Sequence, residues 1–313
     1  MIEVRNISKK YAGVAAVDAL SFTVEKGVVF GLLGPNGAGK TTTLNIIAGV
    51  FRPDEGTVVV DGLVSSTDNA RIQSKIGYLS ENNPLYGNLM VYEMLDLSRK
   101  LKNVSTYQFE TRKDYVINVC GIAGIYYRPI ETLSKGLRQR VGIAVAMIGN
   151  PDILILDEPT EGLDPNQRQD IRTLIRDLRK EHTVVVSTHV MQEVEAMCDD
   201  VIILDEGRIA IAGKVAALQG VKDGVSTIEF ELAGLSAPSL VSSVGSTFDV
   251  LEVDKGYSVT TSVDQEHELY KLLAEHTSGE AYLTRLSKKT NKLEQIFRNV
   301  TKKGIGDIVN SKQ

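Results

Sequence analysis

Three groups of residues in this chain could carry chemistry together. Gly34-Pro35-Asn36-Gly37-Ala38-Gly39-Lys40-Thr41 fits the phosphate-loop spacing G-x-x-x-x-G-K-[ST] at every fixed position. Glycines in such a loop let successive backbone N–H groups turn inward around phosphate oxygens, and the helix that follows adds partial positive charge. Lys40 then reaches the terminal phosphates as a point charge, and the Thr41 hydroxyl offers a ligand to magnesium. The second group, Asp157-Glu158, closes the apolar run Ile153-Leu154-Ile155-Leu156. There Asp157 can hold magnesium opposite Thr41, while Glu158 orients and polarises the water that attacks a γ-phosphate. The third is His189, two residues beyond the apolar stretch Thr183 to Ser187, where an imidazole can hydrogen-bond a γ-phosphate and sense its presence. Tyr11, upstream of the loop, has an aromatic face suited to stacking on a purine. Each feature also has a plainer reading: a helix-capping glycine turn, an acidic strand exit, a structural histidine, a tyrosine at a sheet edge.

These residues need a particular frame. The apolar run Val28 to Leu33 predicts a buried strand before the loop, and Thr42 to Val50 a helix after it. Ile2, Val4 and Ile7 alternate as a strand, and Leu20 to Val24 forms a second. Val58 to Val60 with the turn Asp61-Gly62, and Ile76 to Leu79, are further short strands. From Val91 to Gly149 the pattern turns helical, with Val91, Met94, Leu95 and Ser98 on one face and Tyr115, Val116, Val119 and Cys120 on another. The strand Ile153 to Leu156 fits burial on both faces of a parallel sheet. Helix Asn166 to Glu181, strand Thr183 to Ser187, helix Met191 to Met197 and strand Val201 to Leu204 continue the alternation. Ile209 to Ala212 is an expected edge strand, and Lys214 to Gln219 a short closing helix.

The texture changes around Gly220 to Gly224. Strands are expected at Ser226 to Leu232, Thr247 to Val253, Tyr257 to Val263 and Ala281 to Leu286. Helices are expected at Glu266 to Glu275 and Leu293 to Val300, and a short one starting within Pro238 to Ser243; the order resembles a split βαβ sandwich. The expected organisation is residues 1–222 as one domain with a helical subdomain at about 84–150, residues 225–302 as a small α+β domain, and 303–313 as a polar tail.

The 313 residues carry 42% hydrophobic and 24% charged side chains, as an ordinary globular protein does. A net charge of −5 leaves no basic excess for neutralising a nucleic acid, so no nucleic-acid partner is expected. Cys120 and Cys198 lack any metal-binding or redox spacing and are expected to be reduced thiols. The N-terminus lacks an apolar signal core, and the longest apolar stretch, Val141 to Gly149, falls far short of the about 20 residues a membrane span needs. Any membrane role is expected to come through a partner.

The spacing of the loop, Leu133-Ser134-Lys135-Gly136, Asp157-Glu158, Gly162-Leu163-Asp164 and Ser187-Thr188-His189 resembles the ATP-binding subunit of ABC transporters over residues 1 to about 220. That resemblance implies an α/β fold, a P-loop ATPase core with a mostly parallel sheet, N-terminal antiparallel strands and a helical subdomain. By its pattern Tyr11 is the adenine-stacking aromatic, Gly34 to Thr42 the Walker A loop, Ile153 to Glu158 the Walker B strand, Asp164 the D-loop aspartate and His189 the switch histidine. Ser134 and Gly136 occupy the signature segment that completes the ATP site of an opposite subunit.

Two positions depart from the family pattern. The signature reads Leu133-Ser134-Lys135-Gly136-Leu137 instead of LSGGQ, which adds a cation near the γ-phosphate and removes one polar contact. Glu81 stands where the family has glutamine; its carboxylate can help to bind magnesium but cannot donate an amide hydrogen bond. Both departures, and Leu293-Glu294-Gln295-Ile296-Phe297 near the C-terminus, are similar to ABC-2-type exporters, including ATPases of the gliding-motility-associated type. The resemblance thus implies ATP and Mg²⁺ as ligands and a homodimer that sandwiches two ATP molecules. It also implies a separate ABC-2-type permease as partner and a cytoplasmic, membrane-peripheral location. A soluble ABC ATPase acting on ribosomes or DNA is the alternative, disfavoured by a single motif set and the lack of sustained heptads.

Overall fold

The computed structural model describes residues 1–218, 225–234, 241, 244–253, 256–276 and 281–289. The chain divides into two compact units, Met1–Gly213 and Lys214–Gln313, a division earlier than the change of texture read at residues 220–224.

The first unit opens with a hairpin of β1 (Ile2–Tyr11) and β2 (Val14–Val24). Both strands run longer than their apolar alternation predicts. Asn6 and Ala19 take left-handed backbone at φ 50° and 52° beside register shifts, so the period of two is interrupted while pairing continues. The connecting residues Ala12 and Gly13 have φ 48° and 84°, the two left-handed residues that a tight hairpin turn demands. After β3 (Val29–Leu33) and α1 (Lys40–Ile47), β4 (Glu55–Val60) and β5 (Leu63–Val64) complete an antiparallel sheet ordered β2-β1-β4-β5. Asp61-Gly62, at φ 47° and 80°, turns β4 into β5 as its sequence indicates.

A second sheet carries the functional edge. Helix α2 (Asn69–Ser74) leads to β6 (Ile76–Leu79), and the helical insert follows as α3 (Val91–Leu101), α4 (Thr106–Cys120) and α5 (Lys135–Met147). The face of α3 read from sequence, Val91, Met94, Leu95 and Ser98, is its buried set. On the second face, Val116 and Cys120 are buried while Tyr115 and Val119 are half-buried. Two short 3₁₀ turns, Ala123–Ile125 and Ile130–Thr132, break the insert between α4 and α5. The chain then runs through β7 (Ile153–Asp157), α6 (Pro165–Leu178), β8 (Thr183–Thr188), α7 (Met191–Met197), β9 (Asp200–Asp205) and β10 (Arg208–Lys214).

The sheet order is β10-β9-β3-β8-β7-β6, with β9, β3, β8, β7 and β6 paired in parallel. Every residue of β3, β7 and β8 is buried, which is why their central residues are apolar without alternation. The core joins the two sheets through α1: Val4, Leu20 and Val58 share one cluster with Leu44, Ile155 and Val185. Phe22 stacks on Phe30 across it at 5.5 Å and 7°.

The second unit begins with α8 (Val215–Leu218), then β11 (Val225–Gly234), β12 (Val250–Val253), β13 (Gly256–Ser262), α9 (Val263–His276) and β14 (Ala281–Lys289). Its sheet is antiparallel in the order β12-β13-β11-β14, the split βαβ arrangement. Ile228, Phe230, Val259, Leu269 and Leu273 form its own core. One expected strand is shorter than read: Thr247 and Phe248 both donate their N–H to the Val244 carbonyl in a turn, and pairing starts only at Val250. Val263, read as a strand end, instead starts the helix. The expected helix Leu293 to Val300, the segment Leu293 to Phe297, the tail 303–313 and most of Pro238 to Ser243 lie outside the described residues.

Candidate active site

The loop between β3 and α1 takes its shape from glycine. Gly37 and Gly39 sit at φ 85° and 97°, and Gly39 caps α1 without a side chain. A Cβ on Gly39 would lie 2.3 Å from the Ala16 carbonyl oxygen, so the loop presses directly on β2. Gly34 packs as tightly on the Leu204 carbonyl, and the Ala38 carbonyl accepts from the Gly207 N–H at 3.2 Å. Lys40, 6% exposed, turns its ammonium back across the loop. Its Nζ donates to the carbonyls of Gly34 at 2.9 Å and Pro35 at 3.2 Å, and lies 3.3 Å from Glu158 Oε1.

The parallel sheet brings the acids to the same edge. Asp157 ends β7 with no exposed surface. Its Oδ1 accepts from the Ser187 hydroxyl at 2.5 Å, while its buried Oδ2 has no hydrogen-bond partner. Glu158 takes left-handed backbone at φ 46°, a conformation that costs a non-glycine residue about 1–3 kcal/mol and gathers at functional sites. Its N–H donates to Ser187 Oγ at 2.9 Å, which fixes that turn. Glu158 Oε2 meets His189 Nδ1 at 3.0 Å, so one carboxylate bridges the Lys40 ammonium and the His189 imidazole.

A cleft of about 420 Å³ opens over the loop. Asn36, Gly37, Gly39, Lys40, Thr41 and Thr42 form one wall, with Tyr11 and Ala16 beside them and Glu81, Glu158 and Glu161 opposite. Tyr11 is 45% exposed, its ring available for stacking. Burial pushes the Glu81 carboxyl above the usual carboxylate range; Glu161, Asp157 and Glu158 add repulsion, and Lys40 pulls the other way. Gly34, Ala38, Asp157 and His189 are not in the lining; Gly34 accepts from Lys40, His189 is bonded to Glu158, and Asp157 shares Ser187 with Glu158.

Three further residues read from sequence, Ser134, Gly136 and Asp164, do not line this cleft either. Ser134 caps α5, accepting from the Leu137 N–H at 3.3 Å. Asp164 caps α6, accepting from the Gln167 N–H at 2.9 Å. Gly136 packs on that same Gln167, whose Oε1 would be 2.6 Å from an added Cβ. The Lys135 ammonium lies over Gly162, itself left-handed at φ 65°. The starts of α5 and α6 therefore pack against each other through Gly136, Gln167, Lys135 and Gly162.

Comparison with known proteins places the chain. The family described as ABC transporter matches residues 17–161. The linearmycin resistance ATP-binding protein LnrL of Bacillus subtilis is 32% identical over 311 residues, 98% of this chain and 100% of that protein. This chain belongs to the ATP-binding proteins of ABC transporters. The Nod factor export ATP-binding protein I of Sinorhizobium fredii is 33% identical, covering 98% of this chain and 87% of its own. Among solved structures, a dimeric ATP-binding cassette in a post-hydrolysis state bound to ADP and Pi aligns at TM-score 0.62 and 27% identity, over 68% of this chain and 98% of that one. As an ABC ATPase the chain binds and hydrolyses ATP, and its α/β fold is that of the cassettes.

Some residues around the ABC ATPase cleft have a role that the sequence does not reveal. Glu161 lines it, and Ser187, which the sequence enters only as part of the segment leading to His189, holds both Asp157 and Glu158. Ala16 shapes the cleft through its backbone, which no side-chain pattern reports.

Proposed function

We propose that two copies of this chain enclose two ATP–Mg²⁺ and drive a separate ABC-2-type membrane permease in the direction of export. The observation that carries this reading is that Ser134, Gly136 and Asp164 do not line the cleft that already holds Tyr11, the phosphate loop, Glu81 and Glu158. Donors that do not line the cleft of their own chain are left to serve a phosphate bound by a second copy. The names of the relatives, which speak of resistance and export, support the direction of transport. Among the described residues no helix is long and apolar enough to cross a membrane, in keeping with action through a permease from its cytoplasmic side. Exposed Tyr86 and Tyr127, on the helical insert and its approach, offer aromatic surface of the kind enriched at protein interfaces.

In this reading adenine stacks on Tyr11 and the phosphates lie against the N–H groups of Gly34 to Thr42, with Asn36, Gly37, Ala38 and Gly39 forming the cradle. Lys40 places its charge on the terminal phosphates. The chain's oxygens fit magnesium: Asp157 offers a buried oxygen without a hydrogen-bond partner, and Thr41 and Glu81 line the cleft. Bound there, the ion supplies charge neutralisation of the phosphates. Glu158 orients a water and takes its proton as the water attacks the γ-phosphorus and ADP leaves. His189, already hydrogen-bonded to Glu158, reports the γ-phosphate to that carboxylate. Ser134, Gly136 and Lys135 of the second copy meet the same phosphate at the N-terminus of α5.

Glu158→Gln tests the proposal. The variant is expected to bind ATP with native affinity, to lose turnover by roughly a hundredfold or more, and to sediment as a dimer when ATP and Mg²⁺ are present. Native turnover would remove the role given to Glu158, and a monomer under those conditions would remove the shared site. Sedimentation with membranes, with and without a co-expressed permease, tests the partner.

A further inference from the structure

Helix α7 is apolar on its inner face, where Met191, Val194 and Met197 are buried, but one member of that face is an acid. Glu193 is 2% exposed. A carboxylate so deeply placed is costly unless each oxygen is satisfied. Its Oε1 accepts from the Thr160 hydroxyl at 2.5 Å, and its Oε2 accepts from the Thr188 hydroxyl at 2.6 Å. Arg172 of α6 stands 3.7 Å away and balances the charge. Thr160 and Thr188 are 2% and 0% exposed, so no solvent competes for these bonds.

The positions of the two threonines give the arrangement its meaning. Thr160 lies two residues beyond Glu158, and Thr188 immediately precedes His189. The Thr188 hydroxyl also accepts from the Val190 N–H at 3.0 Å, so it braces the turn on which His189 is mounted. Glu193 thus spans the two backbone segments whose side chains meet as Glu158 Oε2 and His189 Nδ1 at 3.0 Å. We propose that Glu193 is a positioning residue for ATP hydrolysis, its buried carboxylate clamping the Glu158 loop to the His189 turn so that the two side chains stay in register. The inference rests on the roles given above to Glu158 and His189. Packing alone does not account for it, since a methionine or leucine would fill the site without a charge to compensate.

The clamp needs an acceptor at both ends. Glutamine keeps the length and one acceptor, but its amide must donate to the other threonine, whose own proton is then unspent. In the full-length protein with ATP and Mg²⁺, Glu193→Gln is expected to lower kcat about tenfold, as loss of an outer support typically does. KM for ATP should stay within about twofold, because the phosphate loop is untouched. The NMR signal of the His189 ring is expected to move. Thr160→Val should reproduce part of the loss and add nothing in the Glu193→Gln background, as members of one network do. Native kcat with an unmoved His189 signal in Glu193→Gln overturns the inference. So does a fall in kcat that merely follows the melting temperature with that signal unchanged, or full additivity with Thr160→Val. Glu158→Gln in parallel separates the two levels. If that variant turns over ATP normally the active-site reading itself fails, whereas if it is dead and Glu193→Gln is native only the clamp fails.

Discussion

Burial pushes the His182 imidazole below its ordinary value, and the Nδ1–H bond it donates to the Pro151 carbonyl at 2.7 Å offsets only part of that. Its Nε2 is buried without a partner. Near the unfolded value of about 6.5 the folded chain therefore binds fewer protons than the unfolded one. The stability this residue permits is complete above that value and is lost as pH falls through it toward the depressed folded value. Urea denaturation at several pH values below neutrality should show a falling midpoint, and His182→Gln should flatten the slope over that window. At this scale the sequence displays the chemistry but not its supports. Lys40, Asp157, Glu158 and His189 are legible because strand, loop and acid follow one another at fixed spacing. The bonds Ser187 makes to Asp157 and Glu158, and the place of Glu193, are not, because a hydroxyl and a carboxylate acting on residues distant in the chain leave no local period. The one local trace is Glu193 itself, a charge on the apolar face of α7.

The elements divide by how their residues are buried. Strand β6 and helix α7 begin and end where their apolar residues do, so both are readable to the residue. Strands β1 and β2 run past their alternating portions because backbone pairing continues over exposed side chains such as Tyr11 and Val14. Thr247 and Phe248 read as strand by β-propensity, yet a local turn onto Val244 outweighs it, since propensity is weak where no partner strand is available. Helix α3 is the converse case, its periodic face matching its buried face. Leu95 on that face has no exposed surface. Leu95→Ala should destabilise the first unit by about 2–5 kcal/mol, read as a lower urea midpoint at unchanged slope. An unaltered midpoint would mean that the insert does not unfold with the sheet.

The whole molecule places its chemistry at one edge of one sheet. The ends of β7 and β8 carry Asp157, Glu158 and His189, and the loop after β3 brings Lys40 to them, so the parallel pairing of these strands makes their spacing a property of the sheet. The fold class is legible from alternating apolar strands and amphipathic helices, whereas the union of two sheets around α1 is not, since it depends on contacts such as Phe22 on Phe30. The second unit closes its core from its own residues, among them Phe230, Val259 and Leu269. A chain ending at residue 218 is therefore expected to fold and to bind a fluorescent ATP analogue with native affinity; failure to fold would show that the first unit depends on the second. Comparing its dimerisation and turnover with those of the full chain tests whether residues 225–302 brace or regulate the dimer. The division near Gly213 also has a genetic consequence. A recombination junction just past Lys214, where β10 ends, would leave the six-stranded sheet whole, so one C-terminal module could be exchanged for another by a single crossover.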